Sequence, residues 1–311
     1  MAILLATDFD AAGLRRWLEL LEAALPGEQF VTDRRTVDDA AIDMALVANP
    51  SRGALSGLAN LRLIQSLWAG VDKLLGDSSL PPHVPIARMV DPAMNAAMAE
   101  TALWAVLSLH RGFYEYAAQQ RMRRWHPLVQ SRADEVTVAV LGLGQMGRTA
   151  ALRLAAQGYR VLGWSARPGA KGSIEAFAGD DALQPLLARC DIAVNLLPLT
   201  PATRGLLCKR AFNAMRRGAS LVNLARGAHV VDADLLAALD GGHLRHAVLD
   251  VFAIEPLPAD HRYWSHPQVT LLPHAAAQTD ARSAAAIAAT NVRLLRAGGP
   301  PQYLVDRTRG Y

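Results

Sequence analysis

The chain has 311 residues, 51% of them hydrophobic and 19% charged, which is enough apolar material for two domains with separate cores and excludes a disordered chain. The formal net charge of +4 comes from scattered basic residues, so nucleic acid is not expected as a partner. The longest apolar stretch, residues 96–109, is interrupted by Glu100 and is too short to span a bilayer, so no membrane partner is expected.

The chain opens on Met1-Ala-Ile-Leu-Leu-Ala-Thr-Asp8, which lacks a basic leader and reads as a first strand, not a signal peptide. Further strand-like runs follow at residues 29–32, 44–48, 63–66 and 84–88, with helices expected at 11–24 and around Ala54 and Leu74. This alternation predicts a small α/β unit with a parallel sheet. A long helical pattern then runs from Ala93 to Trp125. Its basic end, Arg121-Met-Arg-Arg-Trp125, is read as a solvated or subunit-contacting helix end.

From Val136 the alternation resumes, with strands expected at 136–141, 160–164, 191–197, 220–224, 246–251 and 269–272, and an Ala-rich helix at 279–297. The second series predicts a doubly wound nucleotide-binding unit. With no linker between them, the two units are expected to face each other across a cleft that holds the ligands. Cys190 and Cys208 have neither metal-ligand spacing nor a Cys-x-x-Cys partner. They read as plain thiols of a cytoplasmic protein, and no metal is expected.

The first strand of the second series leads into Val138-Ala-Val-Leu-Gly142-Leu-Gly144-Gln145-Met146-Gly147. In a strand-turn-helix the first glycine permits the turn, the second lets backbone approach a pyrophosphate, and the third lets helix and strand pack closely. The helix N-terminus supplies free N–H groups for the phosphates. The next strand ends in Gly163-Trp-Ser165-Ala-Arg167 with Lys171 beyond it, and has no carboxylate for a ribose 2′-hydroxyl. Ser165, Arg167 and Lys171 suit a 2′-phosphate, so NADP(H) is preferred and NAD(H) remains possible.

Three later strand ends carry polar groups: Arg226 after Leu221-Val-Asn-Leu224-Ala225, Asp250 with Glu255 in the loop beyond it, and His274 after Leu-Leu-Pro273. Singly each could be a surface or capping residue. Together they form a proton-handling set beside a hydride carrier.

These segments, with Leu67-Trp68-Ala69-Gly70-Val71-Asp72, Leu196-Leu197-Pro198-Leu-Thr-Pro-Ala-Thr203 and the terminal Asp306-Arg-Thr-Arg-Gly-Tyr311, resemble the D-isomer-specific 2-hydroxyacid dehydrogenases. The resemblance runs along nearly the whole chain and is strongest to the glyoxylate/hydroxypyruvate reductase A branch. It implies two Rossmann-like/flavodoxin-like parallel-sheet domains: residues 1–98 as the first part of a substrate domain, 99–278 as the NAD(P)-binding domain, and 279–311 returning to the substrate domain. It implies that Arg226 holds the carboxylate and carbonyl of a small 2-keto acid, that His274 is the general acid, and that Glu255 favours the protonated histidine.

The same resemblance places the substrate carboxylate on backbone N–H groups of Trp68, Ala69, Gly70 and Val71. Asp250 would hold the nicotinamide carboxamide. Leu197, Pro198, Thr203, Leu224 and Ala225 would line the cofactor groove with Gly142, Gly144, Gln145, Met146 and Gly147. A homodimer is implied as well, in keeping with the long segment 93–125. Ala48 departs from the branch, which carries tryptophan in this loop, so a larger D-2-hydroxy acid stays open as the substrate. Formate dehydrogenase is disfavoured because Glu255 is present, and phosphoglycerate dehydrogenase because no extra C-terminal domain follows. A nucleotide-sensing co-repressor is the alternative from outside enzymology, distinguished by tight cofactor binding without turnover.

Overall fold

A computed structural model describes residues 1–167 and 174–311. The chain divides into two compact units, Met1–Ala93 with Thr279–Tyr311, and Met94–Gln278. The first unit begins with β1 (Ala2–Thr7), α1 (Ala11–Ala24), β2 (Gln29–Val31), β3 (Ile42–Ala48), β4 (Leu63–Ser66), α2 (Asp72–Leu75) and β5 (Ile86–Ala87). All pair in parallel in the order β2-β1-β3-β4-β5. Every residue of β3 is buried, as expected of a central parallel strand covered on both faces. Ala48 closes β3 wholly buried beside Ile3, Leu5 and Trp17, so its methyl group is part of the core. The exposed position there is Asn49, at φ 46°. The expected helix around Ala54 is a run of turns instead, because Gly53 and Gly57 take positive φ and break any helical repeat.

The second unit contains most of α3 (Pro92–His110), then α4 (Phe113–Arg121), β6 (Thr137–Leu141), α5 (Gln145–Ala156) and β7 (Arg160–Ser165). It continues with β8 (Glu175–Ala178), α6 (Asp180–Leu187), β9 (Ile192–Asn195), α7 (Lys209–Ala214), β10 (Ala219–Asn223), α8 (Asp232–Asp240), β11 (Leu244–Leu249) and β12 (Val269–Leu271). Its seven strands are parallel in the order β12-β11-β10-β9-β6-β7-β8. The order reverses at β6, so the carboxyl ends of β6 and β9 flank a topological switch point, where ligands of open α/β sheets bind. The strand β8 was not expected; its residues are exposed or half-buried and give no apolar run. The long helical pattern splits at Gly112, which has φ +66° and lies where a Cβ would stand 2.5 Å from Leu128 Cδ1. The basic run from Arg121 is exposed beyond α4.

The chain then re-enters the first unit as α9 (Ala281–Arg296). Asp280 caps it by accepting the Arg282 N–H at 2.9 Å. Ala281, Ala284, Ala285, Ala288, Ala289 and Val292 bury a face of small side chains in the core made by β1, β3 and α1. Arg296 fastens the last turn, pairing with Glu28 at 2.8 Å and with buried Asp43. Without Arg296, buried Asp43 would keep only the more distant Arg62, at 4.0 Å. Among the described residues no helix is long and apolar enough to cross a membrane.

Candidate active site

The glycine turn joins β6 to α5, and its three glycines answer three different demands. Gly142 has φ +97°, and a Cβ there would lie 2.7 Å from Leu196 O, so the turn is pressed against the end of β9. At Gly147 a Cβ would fall 1.7 Å from Gly142 O, and any larger residue would force helix and strand apart. At Gly144 a Cβ would meet nothing within 4 Å. Among the described residues no atom requires glycine at that position, which fits a site kept clear for a ligand approaching the backbone.

The N–H groups of Gln145, Met146 and Gly147 have no acceptor among the described residues, and the first turn of α5 carries no acidic side chain. A helix start with orphan donors and no competing carboxylate is suited to phosphate. The residues present therefore fit a dinucleotide. At the end of β7, Ser165 Oγ donates to Arg167 O at 2.5 Å and the Arg167 side chain is exposed. No carboxylate follows β7 within Ser165-Ala166-Arg167. Lys171 lies outside the described residues.

Across the switch point, β9 and β10 end in Asn195 and Asn223, both wholly buried. Asn195 Nδ2 donates to Asn223 Oδ1 at 2.9 Å and to His229 Nδ1 at 3.0 Å. With Nδ1 accepting, His229 carries its proton on Nε2, which donates to Pro198 O at 3.2 Å. Thr203 Oγ1 donates to the same carbonyl at 2.8 Å. Asn223 Nδ2 donates to Arg226 O at 3.1 Å. This network fixes two loops assigned to the cofactor groove, those of Leu197-Pro198 and of Leu224-Ala225, although none of Asn195, Asn223 and His229 was picked out from the sequence. Leu197, Leu224 and Ala225 are themselves buried.

Arg226 follows β10 half-buried, its Nη1 donating to Ala225 O at 2.8 Å. The next residue, Gly227, lies so close to the loop after β11 that a Cβ would stand 1.9 Å from the Phe252 carbonyl carbon. This contact sets the Arg226 loop against the loop that carries Glu255. Glu255 Oε1 accepts the Phe252 N–H at 2.9 Å, and Oε2 accepts from His274 Nδ1 at 2.8 Å. His274 takes φ 54° and is half exposed.

Beneath the pair is Asp250, 1% exposed. Its carboxylate accepts Ala275 N at 2.6 Å and Ala276 N at 3.1 Å, and its carbonyl accepts His274 N at 2.8 Å. Burial pushes the Asp250 pKa above the usual carboxylate range, against the pull of those N–H groups. Thr101 Oγ1, on α3, donates to Ala276 O at 2.6 Å, so the turn after His274 is held from both sides. Arg226, Glu255, His274 and Asp250 thus belong to one set of packed strand ends within the second unit. Trp68, Ala69 and Gly70 lie in the first unit, after β4. Among the described residues no cluster of His, Cys, Asp or Glu could hold a metal ion.

Residues 103–276 match the family described as D-isomer specific 2-hydroxyacid dehydrogenase, NAD binding domain. The chain belongs to that family. Among the relatives of this 2-hydroxyacid dehydrogenase is a glyoxylate/hydroxypyruvate reductase A of Yersinia enterocolitica, 38% identical over 302 residues, covering 96% of each chain. A D-isomer specific 2-hydroxyacid dehydrogenase of Xanthobacter autotrophicus Py2, solved with NADPH and MES, superposes with TM-score 0.94 at 39% identity. It covers 100% of this chain and 99% of that one. An NADPH-dependent glyoxylate/hydroxypyruvate reductase of Sinorhizobium meliloti, solved with NADP and sulfate, gives TM-score 0.92 at 32% identity over 100% and 99%.

Proposed function

We propose that this 2-hydroxyacid dehydrogenase works as an NADPH-dependent reductase of small 2-keto acids, with glyoxylate and hydroxypyruvate as the leading substrates. The observation that carries this reading is the His274–Glu255 pair, 2.8 Å apart at a strand end pinned by Asp250. The relatives named as glyoxylate/hydroxypyruvate reductases support the substrate class.

When bound, the dinucleotide supplies the hydride that turns the keto carbon into a carbinol. Gly142, Gly144, Gln145, Met146 and Gly147 hold its pyrophosphate, Ser165 and Arg167 its 2′-phosphate, and Leu197, Pro198, Thr203, Leu224 and Ala225 line the groove. Since the Glu255 carboxylate can only accept, His274 Nδ1 carries a proton, and Nε2 is left to hold the one delivered to the substrate's keto oxygen. Glu255 keeps the ring oriented and offsets the charge of the imidazolium. Arg226 orients the substrate through its planar guanidinium and stabilises negative charge building on the oxygen. Ala69 and Gly70 receive the substrate carboxylate on backbone N–H groups; the Trp68 N–H, expected to join them, is taken by Ser66 Oγ at 3.0 Å. Asp250 sets the height of the His274 turn, and Oδ2 keeps a lone pair for the nicotinamide amide.

A homodimer is proposed on the exposed apolar side chains Trp104, Phe113, Met122, Trp125 and Val129 of α3, α4 and the segment after them. A solution mass of one chain at micromolar concentration would count against it. Cys190 and Cys208 are unbridged, in keeping with a cytoplasmic setting. The deciding experiment follows NADPH absorbance with a panel of 2-keto acids, with NADH run in parallel. Rapid oxidation with glyoxylate or hydroxypyruvate is expected. Tight NADPH binding without turnover on any member of the panel overturns the reductase reading and favours a nucleotide sensor.

A further inference from the structure

Among the described residues two arginines have their charge disfavoured by burial, Arg88 and Arg307. Arg307 is accounted for, because its Nη2 donates to Pro81 O at 2.9 Å and Val84 O at 2.7 Å. Arg88 is different. It directly follows β5, and its backbone N–H is bonded to Tyr303 O at 3.1 Å, yet its half-buried guanidinium has no hydrogen bond or ion pair among the described residues. The ionisable group that acts on it is the Tyr303 phenol, not a carboxylate. Guanidinium remains protonated at any ordinary pH, so a cation is held partly out of water with no counter-ion. That arrangement costs stability unless an anion comes to it.

A second observation lies one residue further on. Met89 N–H donates to Trp68 O at 3.1 Å, which sets the end of β5 beside the loop after β4. In that loop Trp68 N–H is taken by Ser66 Oγ at 3.0 Å, and Ser66 Oγ donates back to Trp68 O at 2.9 Å. The entry to the loop is therefore fixed. The next three N–H groups, of Ala69, Gly70 and Val71, have no acceptor among the described residues. Asp91, a nearby carboxylate along the chain, is already committed to Ala93 N at 2.8 Å and Ser283 Oγ at 2.6 Å. Unsatisfied backbone donors in succession form an anion-binding concavity, and Arg88 immediately precedes the residue whose N–H ties β5 to this loop.

We propose that Arg88 is a specificity-determining residue whose guanidinium, together with the Ala69 and Gly70 N–H groups, binds the carboxylate of the 2-keto acid. This rests on the reading of the protein as a 2-keto acid reductase, and adds to it a full positive charge at a subsite otherwise made of backbone dipoles. The planar fork of arginine offers two parallel donors to a carboxylate. Such a subsite selects keto acids over uncharged ketones and aldehydes.

The test uses oxamate, which keeps the carboxylate and carbonyl of a 2-keto acid and is not reduced. It is titrated calorimetrically into the NADPH-saturated full chain, wild type and with Arg88→Gln or Arg88→Lys. Loss of a charge-assisted pair is expected to raise the oxamate Kd about 10- to 100-fold in Arg88→Gln. Arg88→Lys, which keeps charge but not the fork, should fall between, with NADPH affinity held and the melting temperature not lowered in either. The KM for glyoxylate should rise in the same order. Equal oxamate affinity in wild type and Arg88→Gln overturns the proposal, as does equal weakening in both variants with a lowered melting temperature, or a wild type that does not bind oxamate. Wild-type glyoxylate reduction separates the two readings. If reduction is present and oxamate binding ignores Arg88, only the subsite falls; if oxamate binding depends on Arg88 without reduction, the subsite stands and the reductase reading falls.

Discussion

His274 Nδ1 lies 2.8 Å from Glu255 Oε2, and the other oxygen of the same carboxylate is fixed by the Phe252 N–H at 2.9 Å. The glutamate is thus oriented by its own loop and the histidine by the glutamate. With Nε2 as the proton donor, His274→Ala should lower kcat for glyoxylate reduction about 100- to 10,000-fold, the usual worth of a positioned acid. The Kd for NADPH, read by fluorescence titration, should change less than about twofold, since the proposed acid does not act on the ground-state cofactor.

Glu255→Gln keeps an oxygen for Nδ1 but removes the negative charge that lies 2.8 Å from the ring. Reduction should slow by about tenfold or more at neutral pH. An unchanged kcat in Glu255→Gln would mean that the carboxylate charge takes no part in the proton transfer.

Replacing two glycines of one turn should give opposite outcomes. Gly144→Ala meets no atom and should lower stability by no more than about 1 kcal/mol, the scale of a helix N-cap change, while weakening NADPH binding strongly. Gly147→Ala drives a methyl into Gly142 O and should cost about 3 kcal/mol or more through overpacking against backbone that has nowhere to move. Urea melts with NADPH titrations of both variants check this.

Arg167 is exposed at the end of β7, so changing it should leave the melting temperature alone. Arg167→Ser should weaken NADPH about 10-fold or more by loss of a phosphate partner, with NADH affinity little altered. A parallel loss for both cofactors would remove Arg167 from the selection of the 2′-phosphate.

His246 is buried, stacked on Tyr114 with ring centroids 3.8 Å apart, and bonded through Nε2 to Thr270 Oγ1 at 2.8 Å. Its Nδ1 has no hydrogen-bond partner among the described residues. Burial, then the charges of Arg245 and His266, press its pKa from 6.5 to about 4. The folded value lies below the unfolded one, so this contribution to stability is full above pH 6.5 and is lost as pH falls towards 4. Between about pH 6.5 and 5 it amounts to about 2 kcal/mol. His246→Phe keeps the stacking and should flatten the acid decline of the melting temperature over that window.

The buried parallel strands were legible because a strand covered on both faces reads as an apolar run, as Val138–Leu141 and Met44–Ala48 do. Edge strand Glu175–Ala178 has no such constraint and left no pattern. The glycine turn was legible as a motif, yet only its surroundings separate Gly147, demanded by packing, from Gly144, demanded by nothing among the described residues.

The Asn195–Asn223–His229 network escaped notice because its members lie far apart in sequence and each alone is an ordinary polar residue. A signal was present: β9 and β10 both end in a Val-Asn pair at neighbouring strand ends, Val194-Asn195 and Val222-Asn223. Asp250 was legible as a strand-end acid. The backbone N–H groups of Ala275 and Ala276 that engage it carry no sequence signature, since any non-proline residue offers an N–H.

The return of the chain as α9 has a consequence for how the protein is made. The core of the first unit takes Ala281, Ala284, Ala285, Ala288, Ala289 and Val292 from a helix that leaves the ribosome only after residues 94–278. During synthesis, β1, β3 and α1 must wait with one apolar face uncovered while an entire second unit emerges and can fold ahead of them. The N-terminal segment, first to be translated, is therefore the last to be completed.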